Sequence, residues 1–189
     1  MKNLALETLG LAILGAVLAF TANGISPRGL QLTRNYFPSG QVKSAYPTNS
    51  TPTQKLRDKG LQVIETDAAA KLFRDPRAQD GRIVFIDARN TQHFQEGHIP
   101  GAYEFDHYRP EQYLPTVMPV CQTAEQIIVY CTGGDCEDSQ FAAVFLRESL
   151  GLANEKIFVY VGGIHEWAAA RLPQEIGERN SGNLQTKSP

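Results

Sequence analysis

The chain has 189 residues, 42% of them hydrophobic, enough for one domain with a proper core and additional segments. Its formal net charge is −2, and its aromatic residues are spread through apolar runs instead of alternating with basic clusters, which argues against nucleic-acid binding. There is neither an internal repeat nor a long low-complexity tract.

In chain order, Leu4 to Ala22 (LALETLGLAILGAVLAFTA) is apolar with Glu7 as its one charge. At about 1.5 Å per residue such a helix measures roughly 28 Å, close to the ~30 Å hydrocarbon thickness of a bilayer. An uncleaved anchor, a cleaved signal sequence and a buried soluble helix all fit this pattern. The lack of a clean Ala-x-Ala site favours the anchor and places residues 1–23 in a single-pass membrane helix. Lys2 is balanced by Arg28 and Arg34, so charge does not set the orientation. The short segment ahead of a signal-like apolar core favours export of the bulk of the chain to the periplasm or cell exterior.

Residues 24–60 are rich in Pro, Ser, Thr, Asn and Gly, with Pro27, Pro38, Pro47 and Pro52, and read as a linker. A domain over 61–173 then opens with a strand at Leu61 to Ile64, followed by Thr66 as the cap of a short helix. The run RIVFIDARNTQHFQEGHIPGAYEFD, Arg82 to Asp106, holds a β-branched strand ending at Asp87 and Arg89. Gly97 permits a tight turn there, His98 suits a structural hydrogen bond, and Ile99 before Pro100 favours extended backbone leading past Gly101 to a short strand at Ala102 to Phe105. Between Tyr108 and Gln126 the prolines predict a short helix near Glu111 to Leu114 and a second start near Thr123.

IIVYCTGGDCEDSQFAAVFLRESLG, Ile127 to Gly151, is the most informative stretch: a buried strand that stops at Cys131, a glycine-bearing loop, and an amphipathic helix with Phe141, Val144, Phe145 and Ser149 at helical spacing before Gly151. Such a turn aims backbone N–H groups and the positive end of a helix at the sulfur of Cys131. The thiolate is the reactive form of cysteine, so the pattern suits sulfur transfer or disulfide chemistry; it also suits a small buried hydrophobe at a strand end. KIFVYVGGIHEWAAARLP, Lys156 to Pro173, adds a last strand, Gly162 and Gly163 opening a helix close to the sheet, and Trp167 as its core anchor. Residues 174–189 read as a flexible tail.

Three segments in this order resemble the rhodanese-like (sulfurtransferase) domain family over roughly Leu61 to Pro173: the strand with Asp87-x-Arg89 and Gly97-His98-Ile99-Pro100-Gly101-Ala102, the cysteine loop, and Gly162-Gly163-x-x-x-Trp167. The resemblance implies an α/β domain with a central parallel sheet flanked by helices. It implies that Cys131 carries sulfur as a persulfide, with loop amides from Thr132 to Ser139 stabilising the charge. Asp87 and Arg89 would orient loops by hydrogen bonds instead of doing chemistry. The loop itself departs from the family pattern, because Cys131 is followed by Thr132, Gly133, Gly134, Asp135, Cys136, Glu137, Asp138 and Ser139: longer, acidic, and with a second cysteine.

One carboxylate about 7 Å from a thiolate opposes it by roughly 2 kcal/mol at an effective dielectric of about 20, while a helix end favours it by about 0.3 to 2 kcal/mol. The balance is open, and a dianion such as thiosulfate meets repulsion unless Asp135, Glu137 and Asp138 point away. These residues also suit a helix first turn, with Asp138 or Ser139 as its N-cap. Cys136 is either a resolving thiol that attacks an oxidised or persulfidated Cys131, or a loop filler; Cys121 reads as structural. Zinc is not expected, since there is no second pair of close ligands and His93, His98, His107 and His165 are scattered. A cysteine phosphatase needs an arginine in the loop, and Arg147 lies two turns into the helix.

The leading expectation is thus a membrane-tethered sulfur carrier, without metal or cofactor, that meets a small sulfur donor and a thiol acceptor. A thiol-disulfide or sensing pair of Cys131 and Cys136, and a silent module that binds a membrane protein through the old loop, are the alternatives.

Overall fold

The computed structural model describes residues 2–26 and 51–185, and the chain divides into two compact units, Met1–Pro47 and Thr48–Pro189. Most of the expected linker, with Pro27, Pro38 and Pro47, lies outside the described residues, as do 186–189.

In the first unit, α1 (Lys2–Ile25) is one continuous helix, and its segment Glu7–Ile25 has a mean hydropathy of 1.8. By length and composition this helix is able to cross a membrane. Leu9, Leu11, Leu14, Leu18 and Phe20 are all exposed, so it is apolar all round instead of along one stripe. Thr21 turns its hydroxyl back onto the carbonyls of Val17 and Leu18, at 2.9 and 3.0 Å, which satisfies the group inside the helix.

The second unit begins with α2 (Pro52–Asp58), capped by Thr51, inside a stretch expected to be linker. It continues through β1 (Gln62–Ile64), α3 (Thr66–Arg74), α4 (Pro76–Gln79), β2 (Ile83–Asp87), α5 (Thr91–Glu96), β3 (Tyr103–Glu104), α6 (Pro110–Thr123), β4 (Gln126–Tyr130), α7 (Asp138–Glu148), β5 (Ile157–Tyr160) and α8 (Gly163–Ala169). Five strands form one all-parallel sheet in the order β1-β5-β4-β2-β3. The β-branched runs of β2, β4 and β5 are buried on both faces, as parallel strands between helices must be.

Alternation along the strands builds two cores. Val84, Ile86, Ile127, Val129, Ile157 and Val159 face Val117 and Cys121 of α6 and Ala142, Ala143 and Leu146 of α7. Ile83, Phe85, Ile128, Tyr130 and Tyr160 face Ala69 and Ala70 of α3 and Ile164 and Trp167 of α8. Trp167 is fully buried against Phe73 at 5.3 Å, and its indole N–H donates to the Pro173 carbonyl at 2.7 Å. The expected core anchor is therefore also tied at its polar end.

Four expectations change. The helix α7 buries Ser139, Gln140, Ala142, Ala143 and Leu146, while Phe141 is 43% exposed, so its inner face is turned from the predicted Phe141 register. Six consecutive apolar residues, 141–146, match either face by periodicity, and the two alanines permit the closer approach to the sheet. The prolines at 115 and 119 do not divide α6, which is one helix from Pro110 to Thr123. They lie four residues apart, so the N–H groups they lack belong to one face of the helix.

Thr66 is the first residue of α3 instead of its cap, and its hydroxyl meets Tyr160 and Glu166. Finally, residues expected as a loose tail form β6 (Gln174–Glu175) and β7 (Leu184–Gln185), an antiparallel pair. Glu175 from this pair is buried against the Gly97–Gly101 turn, which anchors the segment.

Candidate active site

Every strand of the main sheet ends at the same edge, where Asp87, Tyr130 and Tyr160 stand in register across β2, β4 and β5. In parallel sheets this carboxyl edge is where ligand sites form. Cys131 follows Tyr130 directly, in the middle of that edge, and is 1% exposed.

The loop after it is held from both sides. Cys131 and Cys136 are joined in a disulfide with a Cα–Cα separation of 6.6 Å. The N–H groups of Ile164 and His165, at the start of α8, donate to the carbonyls of Cys131 and Thr132 at 2.9 and 3.2 Å. Gly163 has φ +57, and a Cβ on it would stand 2.5 Å from both the Cys131 carbonyl oxygen and the Thr132 carbonyl carbon. Gly133, with φ +103, meets the Gly162 carbonyl in the same tight contact. The two glycine pairs, separate motifs in the sequence, are thus one packed junction beneath the cysteine loop.

The loop amides do not gather on the sulfur as expected. Gly134 N–H donates to Val161 O at 3.2 Å and Cys136 N–H to Gly133 O at 3.4 Å. The polar neighbours of the Cys131 sulfur are the hydroxyl of Ser139 at 3.4 Å and the Cys136 carbonyl at 3.6 Å. Glu137, not Asp138 or Ser139, occupies the N-cap position of α7, and its side chain makes no capping bond. Asp135 and Glu137 are exposed, while Asp138 turns inward and places Oδ2 3.7 Å from the Cys136 sulfur. A cleft of about 320 Å³ opens beside Asp138, lined by Ala88, Asn90, Asp106, Tyr108 and Arg109. Arg109 Nε lies 3.7 Å from Asp106, so the one arginine at this rim is paired.

The remaining predicted residues form a buried frame behind this edge. Arg89 holds Asp87 through two parallel bonds, 2.9 Å to Oδ1 and 2.6 Å to Oδ2, and donates to the Gly97 carbonyl at 2.7 Å. This couples the end of β2 to the turn after α5. His98 stacks on Phe94 at 3.8 Å, with Nδ1 3.0 Å from the Phe94 carbonyl and Nε2 3.2 Å from Glu175. Burial acts to raise the Glu175 carboxyl, yet N–H groups of Gly101, Gly182 and Asn180 and the His98 ring hold it below the usual range.

Sequence reasoning missed two members of this frame. Tyr130 accepts the Ile99 N–H on its hydroxyl at 3.0 Å, and burial raises that phenol well above its usual range. A tyrosine in an otherwise aliphatic buried strand was the available signal. Glu175 carried none, because a lone carboxylate past the last helix looks like solvated tail. Cys121 is a buried free thiol pushed up to about 12 by desolvation, away from the site. Among the described residues no group of three or more His, Cys, Asp or Glu side chains is placed to hold a metal ion.

Residues 67–170 match the rhodanese-like domain family. The chain is 33% identical over 135 residues to the tRNA uridine(34) hydroxylase of Cronobacter sakazakii, which covers 68% of the chain and 34% of that protein. It spans about a third of the length of the first three such relatives. Among solved structures, a Rhodopseudomonas palustris protein described as a possible tyrosine phosphatase superposes with a TM-score of 0.51 at 22% identity, over 72% of this chain and 100% of that one. The As-Sb reductase of Leishmania major superposes with a TM-score of 0.50 at 15% identity, over 67% and 92%. These two likenesses speak for the fold alone. Because the family match takes in more than half of the chain and contains the cysteine loop together with the glycine junction beneath it, the chain belongs to the rhodanese-like domain family.

Proposed function

We propose that this chain is a membrane-anchored sulfurtransferase-type enzyme that takes sulfane sulfur onto Cys131 and discharges it through Cys136. The observation that carries this reading is the Cys131–Cys136 disulfide at the carboxyl edge of a rhodanese-like sheet. Once a dithiol opens that bond, the Cys131 thiolate attacks the transferable sulfur of a donor, that sulfur's bond to the rest of the donor breaks, and Cys131 becomes a persulfide. The bond broken is sulfur–sulfur in thiosulfate or polysulfide and carbon–sulfur in mercaptopyruvate, whose remainder leaves as the pyruvate enolate. An acceptor thiol removes the sulfur by the same exchange. Alternatively, Cys136 attacks the Cys131 sulfur, the outer sulfur leaves as hydrosulfide, and the disulfide is restored; the two cysteines are then oxidised as the sulfane sulfur is reduced. The cycle therefore asks for a small sulfur donor, a thiol acceptor and a dithiol reductant, and for no cofactor.

In the closed form Cys131 is buried, so sulfur loading follows reduction. When the reduced Cys136→Ser chain, which has no resolving thiol, is incubated with thiosulfate, mercaptopyruvate or polysulfide, the Cys131 peptide is expected to gain the mass of one sulfur atom. The absence of that gain with all three donors overturns the proposal. The disulfide itself favours a second reading, a thiol-disulfide pair that exchanges with partner thiols and never carries sulfur; for it, exchange is fast while the sulfur adduct stays absent.

For placement, α1 serves as the single anchor and the rhodanese-like unit works on the periplasmic or extracytoplasmic side, where oxidising conditions preserve a disulfide. The full chain is then expected to stay with membranes through alkaline carbonate extraction, and a chain lacking residues 2–25 to be released. Release of the full chain contradicts the anchor. A membrane protein with a dithiol suits the reductant role on that side. The net charge of −2 offers no support for carrying over the tRNA chemistry in the relatives' name.

A further inference from the structure

The sulfurs of the pair have opposite neighbours. Cys131 lies 3.4 Å from the Ser139 hydroxyl, and both residues are almost wholly buried, at 1% and 4% exposure. Cys136 is half-buried and lies 3.7 Å from Asp138 Oδ2. Residues 138 and 139 are adjacent in the first turn of α7, and successive side chains on a helix point about 100° apart, so one turn serves both sulfurs. A hydroxyl able to donate lowers the cost of a thiolate, and a carboxylate raises it.

We propose that Ser139 and Asp138 set the roles of the pair: Ser139 supports Cys131 as the attacking thiolate, and Asp138 keeps Cys136 protonated until it resolves. This rests on the reading that the two cysteines are a reactive pair. In the resolving step Cys136 gives its proton to the Asp138 carboxylate and its sulfur bonds to the Cys131 sulfur. The bond to the outer sulfur breaks, and that sulfur leaves with the electron pair as hydrosulfide, taking the proton back from Asp138. When a dithiol opens the disulfide it attacks the more exposed sulfur, Cys136, and Cys131 leaves as the thiolate that Ser139 supports.

Other charges near the pair do not create this difference. Asp135 and Glu137 are exposed, Arg109 is paired with Asp106 across the cleft, and His165 on α8 has an exposed side chain. His107 stacks on Phe141 at 5.3 Å, on the outer side of α7.

The test is alkylation of the reduced full chain in detergent, with iodoacetamide over a pH series and each cysteine peptide quantified by mass. Cys131 is expected to reach its full rate at lower pH than Cys136. Asp138→Asn is expected to move the Cys136 profile down by about one pH unit, roughly a tenfold gain in rate near neutrality, with a smaller displacement for Cys131. Asp138→Glu, which keeps the charge, is expected to keep Cys136 slow, and Ser139→Ala to move the Cys131 profile upward. A Cys136 profile at or below that of Cys131, or one unmoved by Asp138→Asn, overturns the proposal. If the profiles behave as expected while no donor adds sulfur, the sulfur-carrier reading fails and this division of roles stands.

Discussion

Arg89→Ala is expected to lower stability by about 3 to 5 kcal/mol, the cost of leaving a buried charge without its partner. Asp87 is fully buried, and its carboxylate is held by the Arg89 fork and by the Arg89 backbone N–H at 3.1 Å. Removing the guanidinium leaves that charge with the backbone donor and also frees the Gly97 carbonyl. The damage reaches the cysteine, because Asp87 stands in register with Tyr130, the residue before Cys131. Urea unfolding measures the loss, and a change below about 1 kcal/mol contradicts this account of the pair. Replacing both residues with apolar ones, Asp87→Leu with Arg89→Met, is expected to cost less than Arg89→Ala alone, since no charge is then buried unpaired.

Much of this architecture was legible in the residues. The buried strands announced themselves as short β-branched runs, and in the structure Arg89 ties Asp87 at the sheet edge to the Gly97 carbonyl while His98 bonds to Phe94 and Glu175. What stayed hidden depends on tertiary contact. The strands β6 and β7 have two residues each and little apolar pattern; they are held because Glu175 finds His98 and the N–H groups of Gly101 and Gly182. The phase of α7 was ambiguous because large apolar residues flank two alanines, and the sheet selects the small ones.

The loop was the least legible part. Spacing alone allowed its amides to face the sulfur, whereas the junction of Gly133 with Gly162 and Gly163 turns the Gly134 amide to Val161. Nothing local in the sequence reveals that junction, since its halves are some thirty residues apart.

The second large effect concerns the nucleophile. Cys131→Ser is expected to abolish sulfur loading from every donor, because an alcohol at this position is neither ionised near neutrality nor able to form a persulfide. Cys136→Ser is expected to act in the opposite direction on the intermediate. Without the neighbouring thiol the Cys131 persulfide has no internal route to the disulfide, so it persists until an external thiol removes it.

Mass analysis of the Cys131 peptide in these two variants and the native chain, after reduction and one exposure to polysulfide, tests this scheme most directly. A lasting sulfur adduct in Cys136→Ser, hydrosulfide release with disulfide closure in the native chain, and neither product in Cys131→Ser are the expected results. An adduct on another residue, or native and Cys136→Ser chains that both close no disulfide and hold no sulfur, contradicts a cycle in which Cys131 carries the sulfur and Cys136 displaces it.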